Sequence, residues 1–142
     1  MAGFQLGKGV GSVSSIGTHC LLEVYGCSPH LLDDSEYIVS ALRNAAEHAG
    51  ATWLDCASHR FHPQGVTAVG LLSESHISIH TWPEAGFAAA DVFTCGDRAM
   101  PERACEWLIE ALAPERHVIR RLDRGASDVA RAAVPSEPMA PV

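Results

Sequence analysis

Apolar positions along this chain repeat at two different spacings. From Glu36 to Ala49, Tyr37, Ile38, Ala41, Leu42 and Ala45 recur every three or four residues, which makes one face of a helix apolar, and Gly50 supplies its stop. Asp33-Asp34-Ser35 just before it offers side-chain oxygens to the first unpaired amides. A second such face, Ala104, Cys105, Leu108, Ile109 and Leu112, follows Pro101, a residue suited to a first helical turn. Shorter apolar runs read as strands at His19 to Tyr25, Ala51 to Ser58, Val66 to Leu72, Ile77 to Thr81, Phe87 to Phe93 and Arg116 to Leu122. Cys27-Ser28-Pro29 breaks the first run, a loop with Phe61, Pro63 and Gly65 joins the second to the third, and Pro83-Glu84-Ala85-Gly86 turns the fourth into the fifth. Strand, helix, strands, helix, strand predicts an α+β fold, a two-layer sandwich with both helices covering one face of a mainly antiparallel sheet.

At 142 residues the chain has the size of one domain with its own core. That domain is placed at residues 17–124, between a Gly/Ser-rich arm (1–16) and a Pro/Ala-rich tail (125–142), both expected to be flexible. Net charge is −7 and the ten Lys and Arg are dispersed apart from Arg120, Arg121 and Arg124, which argues against nucleic acid and is compatible with a small cationic ligand. Five cysteines without a C-x-x-C pair suggest neither a disulfide framework nor a zinc ribbon, so a reducing cytoplasm is expected. No apolar run approaches the ~20 residues of a membrane span, and the first 15 residues lack a signal-like core, so a soluble, unexported protein is expected. Nearly half the residues are apolar, which leaves hydrophobic surface for self-association as a homodimer.

Candidate chemistry concentrates in Leu71 to Glu84, where Glu74-Ser75-His76, Ser78, His80 and Glu84 crowd one short segment, and at Cys95 after the next apolar run. If Ile77 and Ile79 face the core, His76, Ser78 and His80 share the opposite face. Together with Cys95 these are expected to form one site. Several residues also have ordinary structural readings. Ser75 and Glu84 suit turns, Trp82 is read as a core aromatic, and Phe61 is open between core and surface. His19, His30, His48 and His117 are read as structural, and Cys20, Cys27, Cys56 and Cys105 as small buried hydrophobes. A zinc site drawn from His59, His62, His76, His80 and Glu84 is a further alternative, although no H-E-x-x-H pattern accompanies it.

Phe61 through Gly96, with Glu74-Ser75-His76, His80-Thr81-Trp82-Pro83-Glu84 and Phe93-Thr94-Cys95-Gly96 in order, closely resembles the short prokaryotic S-adenosylmethionine decarboxylases. The likeness extends more weakly from about Gly17 to Asp123. The resemblance implies a proenzyme that cuts itself between Glu74 and Ser75, leaving chains of residues 1–74 and 75–142. Ser75 becomes a covalent pyruvoyl group, which forms a Schiff base with the substrate amine and acts as the electron sink of decarboxylation.

The same resemblance implies that His80 is the proton acceptor in processing, that Thr67 supports processing with a hydroxyl where Ser is common, and that Cys95 is the proton donor in catalysis. It implies that Phe61 stacks on adenine and Glu84 binds the ribose of S-adenosylmethionine. A nearby aromatic face also attracts a sulfonium. The expected product is the aminopropyl donor for spermidine synthesis, and the processed protomers are expected to pair as (αβ)2. Two alternatives stand beside this: the same fold acting on arginine or ornithine, and an unprocessed noncatalytic or metal-binding relative.

Overall fold

The computed structural model describes residues 15–73, 75–95 and 99–125. In chain order it contains β1 (Gly17–Tyr25), the single turn α1 (Pro29–Leu32), α2 (Ser35–His48), β2 (Trp53–Arg60), β3 (Val66–Leu72), β4 (Ser75–Trp82), a 3-10 turn (Pro83–Ala85), β5 (Phe87–Cys95), α3 (Pro101–Leu112) and β6 (Arg116–Arg124). The strands form one sheet in the order β2-β3-β4-β5-β1-β6, and each neighbouring pair is antiparallel.

Alternating side chains split this sheet into a buried and a bare face. Cys20, Leu22 and Val24 of β1, Val66, Ala68 and Leu72 of β3, Ile77 and Ile79 of β4, and Ala88, Ala90 and Val92 of β5 point inward. They meet Ile38, Leu42, Ala45 and Ala46 of α2 and Ala104, Cys105, Leu108 and Leu112 of α3. Helix α2 covers β2 to β4 while α3 covers β1 and β5, and the two helices touch each other. This is the expected two-layer α+β sandwich.

The helix boundaries differ slightly from the sequence reading. Asp34 is the N-cap of α2, its carboxylate accepting the Tyr37 amide at 3.0 Å, and Gly50 follows the last turn at a φ of +85°. Pro29, read as part of a break, instead opens α1, because its fixed φ suits a first helical position and Leu32 anchors the turn in the core. The core placement of Trp82 is corrected. Inward Ile77, Ile79 and Thr81 force it to the bare face, where it is 42% exposed and packs on Phe87 with ring centroids 5.4 Å apart. Glu74, most of the expected arm and nearly all of the expected tail lie outside the described residues. Among the described residues no helix is long and apolar enough to cross a membrane.

Candidate active site

The bare face carries every candidate whose direction the strands fix, in two groups at opposite ends. One group gathers where β2, β3 and β4 meet. Thr67 and His80 are cross-strand partners, and Thr67 Oγ1 shares a hydrogen bond of 3.0 Å with His80 Nδ1. His59 pairs with Thr67 on the other side and packs edge-on against Phe61 at 4.6 Å, while His80 lies 6.4 Å from Trp82. Phe61 is 45% exposed, at the start of the β2–β3 loop. Gly65 closes that loop so tightly, at a φ of +108°, that an added Cβ would lie 3.2 Å from the Thr81 carbonyl, 3.9 Å from Pro83 and 4.0 Å from the Phe61 ring. The Phe61 loop therefore abuts the 3-10 turn that holds exposed Glu84.

The second group lies at the β3–β4 connection. Leu72 pairs with Ser75, so only Ser73 and Glu74 join the strands. The half-buried Ser75 hydroxyl points toward the Ser73 carbonyl at 3.5 Å, too long a contact to hold it firmly. His76 pairs with Phe93, which carries the β5 register on to Thr94 opposite Ser75 and places Cys95 one residue beyond. Cys95 is half-buried and alternates onto the bare face with Asp91 and Phe93. Burial raises the thiol pKa of Cys20, Cys27 and Cys56 and pushes Cys105 up to about 12, so those thiols stay protonated at neutral pH. Cys20, Cys27 and Cys105 are buried as expected; Cys56, on the edge strand β2, is only half-buried.

Beside Ser75 lies a cluster that the sequence reading did not contain. Asp91 accepts from His19 Nε2 at 2.7 Å, from His76 Nε2 at 2.9 Å and from Ser78 Oγ in a short contact. Burial pushes the Asp91 carboxyl up, but hydrogen bonds from Ser78, His76 and His19 outweigh it and hold the group below its ordinary value. His19, His76 and Asp91 also present ligand-type atoms within 4.8 Å of one another. Arg124 donates to His19 Nδ1 at 2.8 Å, which leaves the proton on Nε2, where a metal would need a lone pair. The arrangement is thus a hydrogen-bonded cluster around one carboxylate. His19, read as structural, belongs to it; the sequence signal was an aspartate inside the apolar run of β5.

The structure joins Thr67 to His80, brings Phe61 near the turn of Glu84, and sets Ser75 near Cys95. It does not bring Ser75 to His80. Five residues of extended strand separate them, roughly 16 Å, and Cys95 lies six residues along β5 from the partner of His80, roughly 20 Å. His76 is likewise roughly 13 Å from His80 along the strand, so the five-residue zinc set of the sequence reading shares no coordination sphere within one chain.

The sequence model of one protein family, described as S-adenosylmethionine decarboxylase, matches residues 18–125. The S-adenosylmethionine decarboxylase proenzyme of Parasynechococcus marenigrum (strain WH8102) is 54% identical over 109 residues, covering 77% of this chain and 85% of that protein. A protein of the same name from Methanococcus maripaludis is 47% identical over 116 residues, covering 82% of this chain and 95% of its own length. The crystal structure of the adenosylmethionine decarboxylase from Aquifex aeolicus superposes with a TM-score of 0.74 at 36% identity, covering 89% of this chain and 98% of that one.

Proposed function

We propose, since the chain belongs to the S-adenosylmethionine decarboxylase family, that it is a self-processing, pyruvoyl-dependent carboxy-lyase converting S-adenosyl-L-methionine to S-adenosylmethioninamine and carbon dioxide, the aminopropyl donor for spermidine synthesis. The observation that carries this reading is Ser75 itself, a loosely held hydroxyl at a two-residue hairpin connection, with the Cys95 thiol at the end of the adjoining strand. That placement fits a residue destined to become a chain-terminal cofactor. Ser75 Oγ adds to the Glu74 carbonyl carbon and the C–N bond breaks, giving an ester and a free amine. A base then takes the Ser75 Cα hydrogen, and elimination releases Glu74 as a carboxylate. Hydrolysis of the remaining dehydroalanine liberates ammonia and leaves pyruvoyl at the head of residues 75–142. When formed, the group supplies the electron sink for decarboxylation.

His80 is the base. The tautomer whose Nδ1–H donates to Thr67 Oγ1 leaves the Nε2 lone pair free, and the extra methyl of Thr67 does not prevent that 3.0 Å contact. Cys95 returns a proton to the substrate carbon after carbon dioxide leaves. Phe61 offers a ring face to adenine, and Glu84 accepts from the ribose hydroxyls.

One chain cannot complete this site, because His80 and Ser75 stand five residues apart along β4, roughly 16 Å. A two-fold pairing of two such faces sets Thr67 and His80 of one protomer over Ser75 and Cys95 of the partner subunit, and the reverse at the second site. Leu71, Trp82 and Leu122, 51%, 42% and 47% exposed on that face, support its burial in a homodimer that becomes (αβ)2 after cleavage.

Intact-protein mass spectrometry tests the reading. Purified protein is expected to give two chains, the second starting in pyruvoyl at position 75, and Ser75→Ala to give one. The cut protein is then expected to release carbon dioxide from carboxyl-labelled S-adenosylmethionine and not from arginine or ornithine. A wild-type chain that stays whole overturns the proposal.

A further inference from the structure

We infer that Asp33 is a positioning residue for substrate binding, which sets the place of Phe61 without touching substrate. The inference rests on the adenine-stacking role proposed above for Phe61. Asp33 follows α1, far from β2 in sequence, yet it grips both ends of the β2–β3 loop. Its Oδ2 accepts from Arg60 Nη2 at 2.6 Å, its carbonyl from Arg60 Nε at 3.2 Å, and its Oδ1 from the Gly65 amide at 2.9 Å. Arg60 immediately precedes Phe61, and the Phe61 amide donates to the Gly65 carbonyl at 2.8 Å. One carboxylate thus fixes both ends of the six-residue segment 60–65 that presents the ring.

The clamp is itself anchored in the core. Leu32 is fully buried, and its carbonyl accepts from Thr81 Oγ1 at 2.7 Å, while Thr81 Oγ1 itself accepts the Val66 amide at 2.9 Å. The path from core to ring is therefore short: β4 to Leu32, Leu32 to Asp33, Asp33 to both loop ends. The residues it holds are otherwise loose. Phe61, His62, Pro63 and Gln64 are all exposed, and among the described residues no other side chain hydrogen-bonds the segment 60–65. The loop also borders an open cleft of about 600 Å³ lined by Asp33, Arg60, Gln64 and Pro83, into which a released loop has room to move.

Asp33→Asn is the informative variant. An asparagine keeps the shape but has one acceptor where the carboxylate has two, so it satisfies Gly65 or Arg60 and turns an amide N–H toward the other. Four proteins are compared: wild type, D33N, Phe61→Ala and the double variant, each measured for self-cleavage rate, kcat and KM. The inference expects D33N to raise KM for S-adenosylmethionine about tenfold, as misplacement of a binding group does. Cleavage rate and kcat should stay within about twofold, and D33N should add nothing to the KM of F61A. If F61A raises KM and D33N does not, or if D33N raises it equally with and without the ring, the clamp is not acting through Phe61 and the inference falls while the substrate reading stands. If F61A leaves KM unchanged, the adenine-stacking reading fails first and the inference goes with it. Should D33N not fold, Arg60→Gln, an exposed change that removes the same ion pair, takes its place under the same criteria.

Discussion

Asp91 shows what one residue in an apolar strand can organise. It sits between buried Ala90 and Val92, yet three side chains donate to it and Arg124 orders one of them from the neighbouring edge strand β6. Its carboxyl is held below the ordinary value of 3.8, so its contribution to stability is complete above that value and is lost as pH falls through the lower folded one. Asp91→Asn is therefore expected to lower the urea midpoint at pH 7, with the gap to wild type narrowing below about pH 4. Equal gaps at both ends would mean that shape, and not charge, matters there. Sequence reasoning missed this cluster because His19 and Asp91 are 72 residues apart and meet only through the β1–β5 pairing. Thr67 and His80, 13 residues apart across one hairpin, were singled out only through the family resemblance, and their contact was not foreseen.

Elements were easier to read where a period ran long. Helix α2 was placed nearly residue for residue from its apolar stripe and the Asp33-Asp34-Ser35 cluster, and the β4–β5 hairpin from two apolar runs around Pro83-Glu84-Ala85-Gly86. The single turn α1 has too few residues to show a period, and Trp82 was misplaced because residue type was weighed above the parity of its own strand. Helix α3 ends in a way that the sequence conceals: Ala113 caps it in the left-handed region at a φ of +46°, where glycine is the usual occupant. Replacing Ala113 with Gly is expected to stabilise the protein by roughly 0.5 to 1 kcal/mol, read by denaturant unfolding. A loss of stability would show that the alanine methyl packs usefully enough to outweigh the backbone cost.

At the scale of the molecule the proposed pairing, in which the site halves face one another across two copies, gives a test by complementation. Ser75→Ala and His80→Ala proteins should each remain whole when made alone. Produced together, they are expected to form hybrid dimers in which intact Ser75 of the H80A chain meets intact His80 of the S75A chain. Only the chain bearing H80A is expected to be cut, which mass spectrometry distinguishes directly; no cutting in the mixture would sink the face-to-face arrangement. Strand order carries a last consequence for how such a protein lives. If the chain is divided between 74 and 75 as proposed, β4 and β5 of the second piece lie between β3 and β1 of the first, while β1 of the first lies between β5 and β6 of the second. The pieces are interleaved like the fingers of clasped hands, so the connected precursor must fold before it is severed. After severing, the active form reaches its native state only through an encounter of two separate polypeptides, so a thermal excursion that the precursor survives becomes, for the mature enzyme, a matter of dilution.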